Sequence, residues 1–120
     1  MADSPESHLE TLQTYYTSLD TKDFDIVRSL LADEFTQYRS DRTFENPEQF
    51  LSFMANDRPQ PDTTHEITAL FTPAESDPAA DLVAARGTVW SNTGDRIFDF
   101  VDIATLTVDS KIRRLETYTR

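Results

Sequence analysis

Apolar positions recur at two different periods along these 120 residues. The point where the period changes divides the chain. Leu9, Leu12, Tyr16 and Leu19 fall at helical spacing, which predicts a first helix running to about Leu19. Its start is marked by Ser4-Pro5-Glu6, a serine cap followed by proline at the first helical position. Asp20-Thr21-Lys22-Asp23 breaks that helix, and Asp23 caps a second one carrying Ile26, Val27, Leu30 and Leu31. Phe35 to about Arg39 reads as a short strand, closed by the polar turn Ser40-Asp41-Arg42. Asn46-Pro47-Glu48-Gln49 is a third helix start, an Asn cap with Gln three residues on, and that helix presents Phe50, Phe53 and Met54. Beyond Arg58-Pro59-Gln60-Pro61 the helical period ends. Strands are predicted at about 65–72, 82–91, 96–108 and 111–119, with a polar loop over 73–81. Asn92-Thr93-Gly94-Asp95 is a hairpin turn and Asp109-Ser110 a tighter one. Helices first and a long antiparallel meander second give an α+β layout, three helices on one face of a curved, mostly antiparallel sheet.

The strand over 96–108 holds the most informative residue. One of its faces carries Phe98, Phe100, Asp102, Ala104 and Leu106, the other Ile97, Asp99, Val101, Ile103 and Thr105. Both faces are largely apolar, so both are expected to be covered. A carboxylate in the first set must find partners or give up its charge. Acids in that position are over-represented at functional sites, although many are only structural.

Charge changes the picture of the surface. There are 22 acidic residues against 11 basic ones, a net charge of −11, and nine of the 11 are Arg. Acid excess, scarce Lys and abundant Thr together suit a high-salt cytoplasm; an ordinary acidic surface is the other reading. No basic stripe is present to neutralise phosphates, so neither nucleic acid nor an anionic membrane is an expected partner. With no cysteine, disulfides and thiolate chemistry are excluded. His8 and His65 are too far apart for a ligand motif, so no metal is expected, and two glycines make no phosphate loop, so no cofactor is expected. The acidic start lacks a signal peptide's basic and apolar regions, and the expected location is cytoplasmic.

Two stretches carry a family resemblance. Tyr15-Tyr16-Thr17-Ser18-Leu19-Asp20-Thr21-Lys22-Asp23-Phe24-Asp25, with Leu30-Leu31-Ala32-Asp33-Glu34-Phe35, resembles the opening of SnoaL-like domains in the nuclear transport factor 2-like superfamily. Phe100-Val101-Asp102-Ile103, Val108-Asp109-Ser110-Lys111-Ile112 and Tyr118 resemble their last hairpin. The resemblance covers nearly the whole chain. It implies a cone-shaped roll enclosing one pocket, the other sheet face serving a homodimer. Phe98, Phe100, Asp102, Ala104 and Leu106 would then face the pocket, and Ile97, Val101 and Ile103 a partner copy.

Within that superfamily the ketosteroid isomerases hold a substrate oxygen with a tyrosine and a protonated aspartic acid, and move a proton with a second aspartate. By the same comparison Tyr15 falls at the tyrosine, Asp102 at the protonated acid and Arg39 at the proton-moving residue. An arginine is no base at neutral pH, so steroid isomerisation is not expected. The resemblance implies a cofactor-free isomerase or cyclase in which Asp102 moves a proton, Tyr15 binds an oxygen and Arg39 anchors an anion. Phe50, Phe53, Phe98 and Phe100 would line the pocket.

Duller readings stand beside these. Asp102 could be a satisfied buried acid bonded to Tyr15 or to a backbone amide, Tyr15 a wall residue, and Arg39 a surface residue. Trp90, near a hairpin tip, suits a pocket mouth or a dimer contact. His65 is expected to face solvent, and His8 lies near a frayed terminus. The alternative function is a non-catalytic ligand-binding or dimerisation module of the same fold.

Overall fold

The computed structural model describes residues 5–58, 62–74 and 81–120. The expected cap at Ser4, the proline segment at 59–61 and most of the predicted loop at 73–81 lie outside these residues. Three helices, α1 (Pro5–Asp20), α2 (Phe24–Leu30) and α3 (Pro47–Ser52), accompany six strands. These are β1 (Leu31–Tyr38), β2 (Thr43–Phe44), β3 (Thr63–Phe71), β4 (Leu82–Ser91), β5 (Arg96–Leu106) and β6 (Ile112–Thr119). They form one sheet in the order β2-β1-β6-β5-β4-β3. The meander from β3 to β6 is antiparallel, and β1 docks parallel to β6, so the sheet is mixed. No described helix is long and apolar enough to cross a membrane.

The helix ends follow their local chemistry. Asp23 accepts from the Ile26 amide and Asn46 from the Gln49 amide, each satisfying an orphan donor of a first turn. Gln49 reaches back to the amide of Glu45, one residue before the cap. α1 ends in a Schellman turn: the Asp23 amide bonds the Ser18 carbonyl and the Lys22 amide the Leu19 carbonyl. Lys22 therefore sits at φ 58°, a left-handed conformation usually filled by glycine. That turn fixes where Asp20 points.

Two expected boundaries move. Leu31 belongs to the strand and not to the helix, because α2 stops at Leu30 and Leu31 pairs with Ile112 of β6. The third helix opens into a π-helical turn at Phe53–Asp57, which carries Met54 into the core.

The core lies between the helices and one face of the sheet. Leu12, Tyr15, Tyr16 and Leu19 of α1, Val27 of α2 and Phe50 of α3 meet Phe35, Val83, Ala85, Val89, Phe100, Ala104, Leu106, Ile112 and Leu115. Burying a side chain such as Phe50 in full contributes about 1.5–3 kcal/mol. His8, discounted as part of a frayed end, is buried, its Nδ1 2.7 Å from Ser110 Oγ in the β5–β6 turn. Thr11 donates to the Ser110 carbonyl from the next turn of α1. Together they pin α1 to a residue held at φ 61°.

Strand bulges shape the inner face. Gly87 of β4 approaches so closely that an added Cβ would stand 2.3 Å from the Glu66 carbonyl oxygen and 3.0 Å from the Phe100 ring. On β5, Val89 pairs with Phe98 and Trp90 with Arg96, so Ile97 is an extra residue in the ladder.

Candidate functional site

A cavity of about 350 Å³ lies between α1, α3 and the inner sheet face. β5 is alternately buried from Phe100 to Leu106, and that alternation puts Asp102 on the inner face with 5 % exposure. Its partner is not Tyr15. The Tyr16 hydroxyl donates to Asp102 Oδ2 at 2.6 Å, and the Thr117 hydroxyl of β6 donates to Oδ1. Thr117 stands opposite Asp102 in the β5–β6 ladder, so the sheet itself delivers the second donor. Burial raises the Asp102 pKa despite these two donors and despite the nearby guanidinium of Arg39.

The network continues to β1. Gln37 Nε2 donates to Thr117 Oγ1 at 2.8 Å, while Gln37 Oε1 is buried without a partner among the described residues. A chain of amide, hydroxyl and carboxyl can run in either direction. With Asp102 ionised, protons point from Gln37 through Thr117 to the carboxylate. With Asp102 neutral, its proton is donated to Thr117, whose own hydroxyl then bonds Oε1 of a turned Gln37 amide. The second arrangement agrees with the raised pKa but puts the amide nitrogen in the unpartnered place, so either way one polar atom of Gln37 lacks a partner among the described residues.

Tyr15 lines the cavity with its ring 6.2 Å from that of Phe50. Its hydroxyl makes no hydrogen bond among the described residues. Burial, then the charge of Asp102, raises its pKa well above the usual tyrosine value, with Arg39 and Arg58 opposing. The phenol stays protonated, a donor to whatever fills the space.

His65 does not face solvent. It lines the cavity with a side-chain exposure of 12 %, its ring 5.5 Å from that of Tyr16 and 5.7 Å from that of Phe100. Asp20, at the end of α1, accepts from the His65 backbone amide at 2.9 Å and contacts Nδ1 at 2.6 Å. A carboxylate only accepts, so Nδ1 carries a hydrogen, and in that tautomer the lone pair of the imidazole is on Nε2.

Arg39 also reaches the cavity, as do Arg42 and Arg58. Arg42 stacks on Phe53, its guanidinium carbon 4.4 Å from the ring centre, and bonds Asp41 at 3.1 Å. Burial alone would push Asp41 up, but Arg39 and Arg42 hold its carboxyl below the usual value. Phe50, Phe53, Phe98 and Phe100 form apolar wall. Two expectations need correction. Trp90 does not line the cavity, because it lies on the opposite face of β4 and donates from Nε1 to Glu66. Ile97, assigned to the outer face, lines the cavity beside Phe98 because the bulge breaks the alternation there.

Sequence reasoning missed Tyr16, Gln37, Thr117, Arg42, Arg58 and the pairing of His65 with Asp20. Only Tyr16 carried a signal, as the neighbour of Tyr15 on a buried helix face.

This architecture is that of the nuclear transport factor 2-like proteins. The chain is similar to a proposed ketosteroid isomerase from Kribbella flavida DSM 17836, with TM-score 0.81 and 16% identity over 100% of this chain and 82% of that one. It is similar to a proposed polyketide cyclase from Sinorhizobium meliloti, with TM-score 0.74 and 15% identity over 91% and 94% of the two chains. An NTF2-like protein of unknown function from Exiguobacterium sp. 255-15 matches at TM-score 0.69 and 26% identity, over 92% and 98%. At 15–16% identity the first two establish the fold alone. No curated protein matches the sequence. The family is given by residues 12–115, which match the SnoaL-like domain: the chain belongs to that family.

Proposed function

We propose that the chain is a small-molecule pocket protein of SnoaL type, working as a cofactor-independent isomerase or cyclase on a small apolar or carboxylate-bearing ligand. The observation that carries this reading is the meeting of two proton-transfer groups, Asp102 and His65, on one cavity of about 350 Å³. In this mechanism His65 Nε2 takes a proton from a carbon next to a carbonyl, and the electron pair moves onto the carbonyl oxygen. Tyr15 donates to that oxygen as its charge grows, and protonated Asp102 adds its single O–H by turning it from Thr117 to the ligand. Return of the proton to a different carbon completes an isomerisation; alternatively the carbanion attacks a second carbonyl carbon of the same ligand and closes a ring, the C=O π pair moving onto that oxygen, which takes the proton back from His65. Arg39 anchors an anionic end of the ligand. His65 thereby supplies the base that the residue at position 39 cannot.

The names carried by similar structures, an isomerase of the SnoaL-like family and a polyketide cyclase, support this class of reaction and leave the substrate open. The test is a thermal-shift screen of small carbonyl compounds on the wild type and on Asp102→Asn. Stabilisation of the wild type, with slower solvent deuterium uptake by the bound compound in Asp102→Asn, is expected. If no compound stabilises either protein, the reading fails.

On the outer sheet face Tyr118 is 55% exposed beside Val101, with Ile103 two residues further along β5. We assign that face to a second copy of the chain. Sedimentation should give a dimer that Val101→Arg dissociates, and a wild-type monomer would refute it.

A further inference from the structure

The cavity carries the opposite charge from the chain around it. In a protein of net charge −11, three of the nine arginines line this one space. Arg42 is matched by its bond to Asp41 and its stack on Phe53. Arg39 shares that same carboxylate at 3.8 Å, beyond hydrogen-bond length. Arg58 has no carboxylate within ion-pair reach among the described residues, and its Nη2 donates to the neutral Thr63 hydroxyl at 2.6 Å. The two acids whose charge is felt at Arg58 are engaged elsewhere: Asp20 holds His65, and Asp62 pairs with Lys22.

Burial, followed by the charge of Arg39, lowers the Arg58 pKa. A guanidinium keeps its proton regardless. Arg39 and Arg58 therefore bring two like charges to one cavity, where Asp41 is bonded to Arg42, stands 3.8 Å from Arg39 and does not pair with Arg58. That arrangement is unfavourable until an anion enters. A carboxylate matches the planar donor forks of arginine better than a spherical ion does. The aromatic wall beside it favours a ligand with an apolar body.

We infer that the cavity takes a small organic carboxylate, its acid group held by Arg39 and Arg58 and its apolar body along Phe50, Phe53 and Phe98. This rests on the reading that the cavity binds a ligand, and it is independent of whether Asp102 moves a proton. The acid group is the handle that sets the rest of the molecule against Asp102 and His65.

The probes are benzoate and phenylacetate, compared with benzamide, phenylacetamide and inorganic phosphate at equal ionic strength. Each is offered at about 10 mM, above the roughly millimolar dissociation constant that fragments of this size reach. Both carboxylates should raise the unfolding temperature, and the amides should not. Calorimetry should give affinities about 10- to 100-fold weaker in Arg58→Gln and Arg39→Gln, with part of the loss recovered in Arg58→Lys. Arg113→Gln, on exposed β6, is the control and should bind as the wild type does. Circular dichroism of each variant separates lost binding from lost folding.

Amides that stabilise as well as the acids, or carboxylate binding untouched by both arginine substitutions, would overturn the inference. So would the absence of any effect from both carboxylates, or phosphate acting as strongly as they do. Asp102→Asn should keep carboxylate binding. The clamp and the acid–base chemistry can therefore fail separately.

Discussion

Replacing Tyr16 by phenylalanine removes one oxygen from a ring that is 2% exposed and packed against Tyr15, His65 and Phe100. No cavity larger than a hydroxyl results, so nearly the whole effect is the 2.6 Å bond to Asp102 Oδ2. Such a bond contributes about 1.5–3 kcal/mol when the acceptor is charged and about 0.5–1.5 kcal/mol when it is neutral. Which figure applies depends on pH. Burial holds the Asp102 pKa above its ordinary 3.8, so the folded protein binds this proton more tightly than the unfolded chain. Its contribution to stability is then full below the unfolded value and is lost as pH rises through the folded one. Without the Tyr16 donor the ionised form is less favourable still, and the folded value moves further up. The deficit of Tyr16→Phe should be about 0.5–1.5 kcal/mol in acid, where Asp102 is protonated, and grow to about 1.5–3 kcal/mol as pH rises through its raised folded-state value, because the missing donor matters more once the acid ionises. Urea unfolding of both proteins across that rise in pH, at constant salt, measures it; repulsion among surface acids is common to both and cancels. A difference of 1 kcal/mol moves the urea midpoint by roughly 0.3–1 M, well within resolution. A deficit that is flat with pH, or larger in acid, would show that Tyr16 does not sense the charge of Asp102.

Three further substitutions test the frame. Lys22→Gly relieves a left-handed residue at the end of α1, and in about 1 M salt, which screens the exposed pair with Asp62, it should add roughly 0.5–1 kcal/mol in urea unfolding. Gly87→Ala drives a methyl into the Glu66 carbonyl and the Phe100 ring, so a loss of about 1–3 kcal/mol is expected, with weaker ligand-induced thermal shifts as Phe100 is displaced. His8→Leu leaves the Ser110 hydroxyl without its buried partner and should cost about 1–2 kcal/mol; an unchanged midpoint would return His8 to the frayed end.

Local signals were legible in the sequence, and tertiary ones were not. Caps at Asp23 and Asn46 and the alternation of β5 are properties of a few consecutive residues, and they gave the elements in the right order and Asp102 on the buried face. Thr117 was hidden by a bulge. Counting back from the pair Leu106–Ile112 without it sets Glu116 opposite Asp102, and the register shift before Thr105–Arg114 is what brings Thr117 there. The bulge at Ile97 misled in the same way, moving a residue from the outer face into the cavity wall. Asp20 and His65 are 45 positions apart and meet only because the Schellman turn aims the end of α1 at the start of β3. Trp90 was misplaced because nearness to a hairpin tip says nothing about which face of a strand a side chain takes.

Stability alone does not account for the placement of the unfavourable groups. A buried carboxyl, an orphaned amide oxygen and an arginine without an acid each cost folding free energy, and apolar residues of similar volume in their place are often neutral or stabilising. On the outer surface the same chemistry is inexpensive: Arg114 meets Glu116, and Asp99 accepts from Thr88 between Arg96 and Arg120, all within reach of water. The costly versions, Asp102, Gln37 and Arg58, all line one cavity and come from three separate parts of the chain, β5, β1 and the end of the π-helical turn. Independent structural accidents would scatter over the core, and these converge on one space. Convergence of polar groups whose partners are incomplete is what a site built around a bound molecule requires, because the ligand then supplies the missing hydrogen bonds and counter-charge.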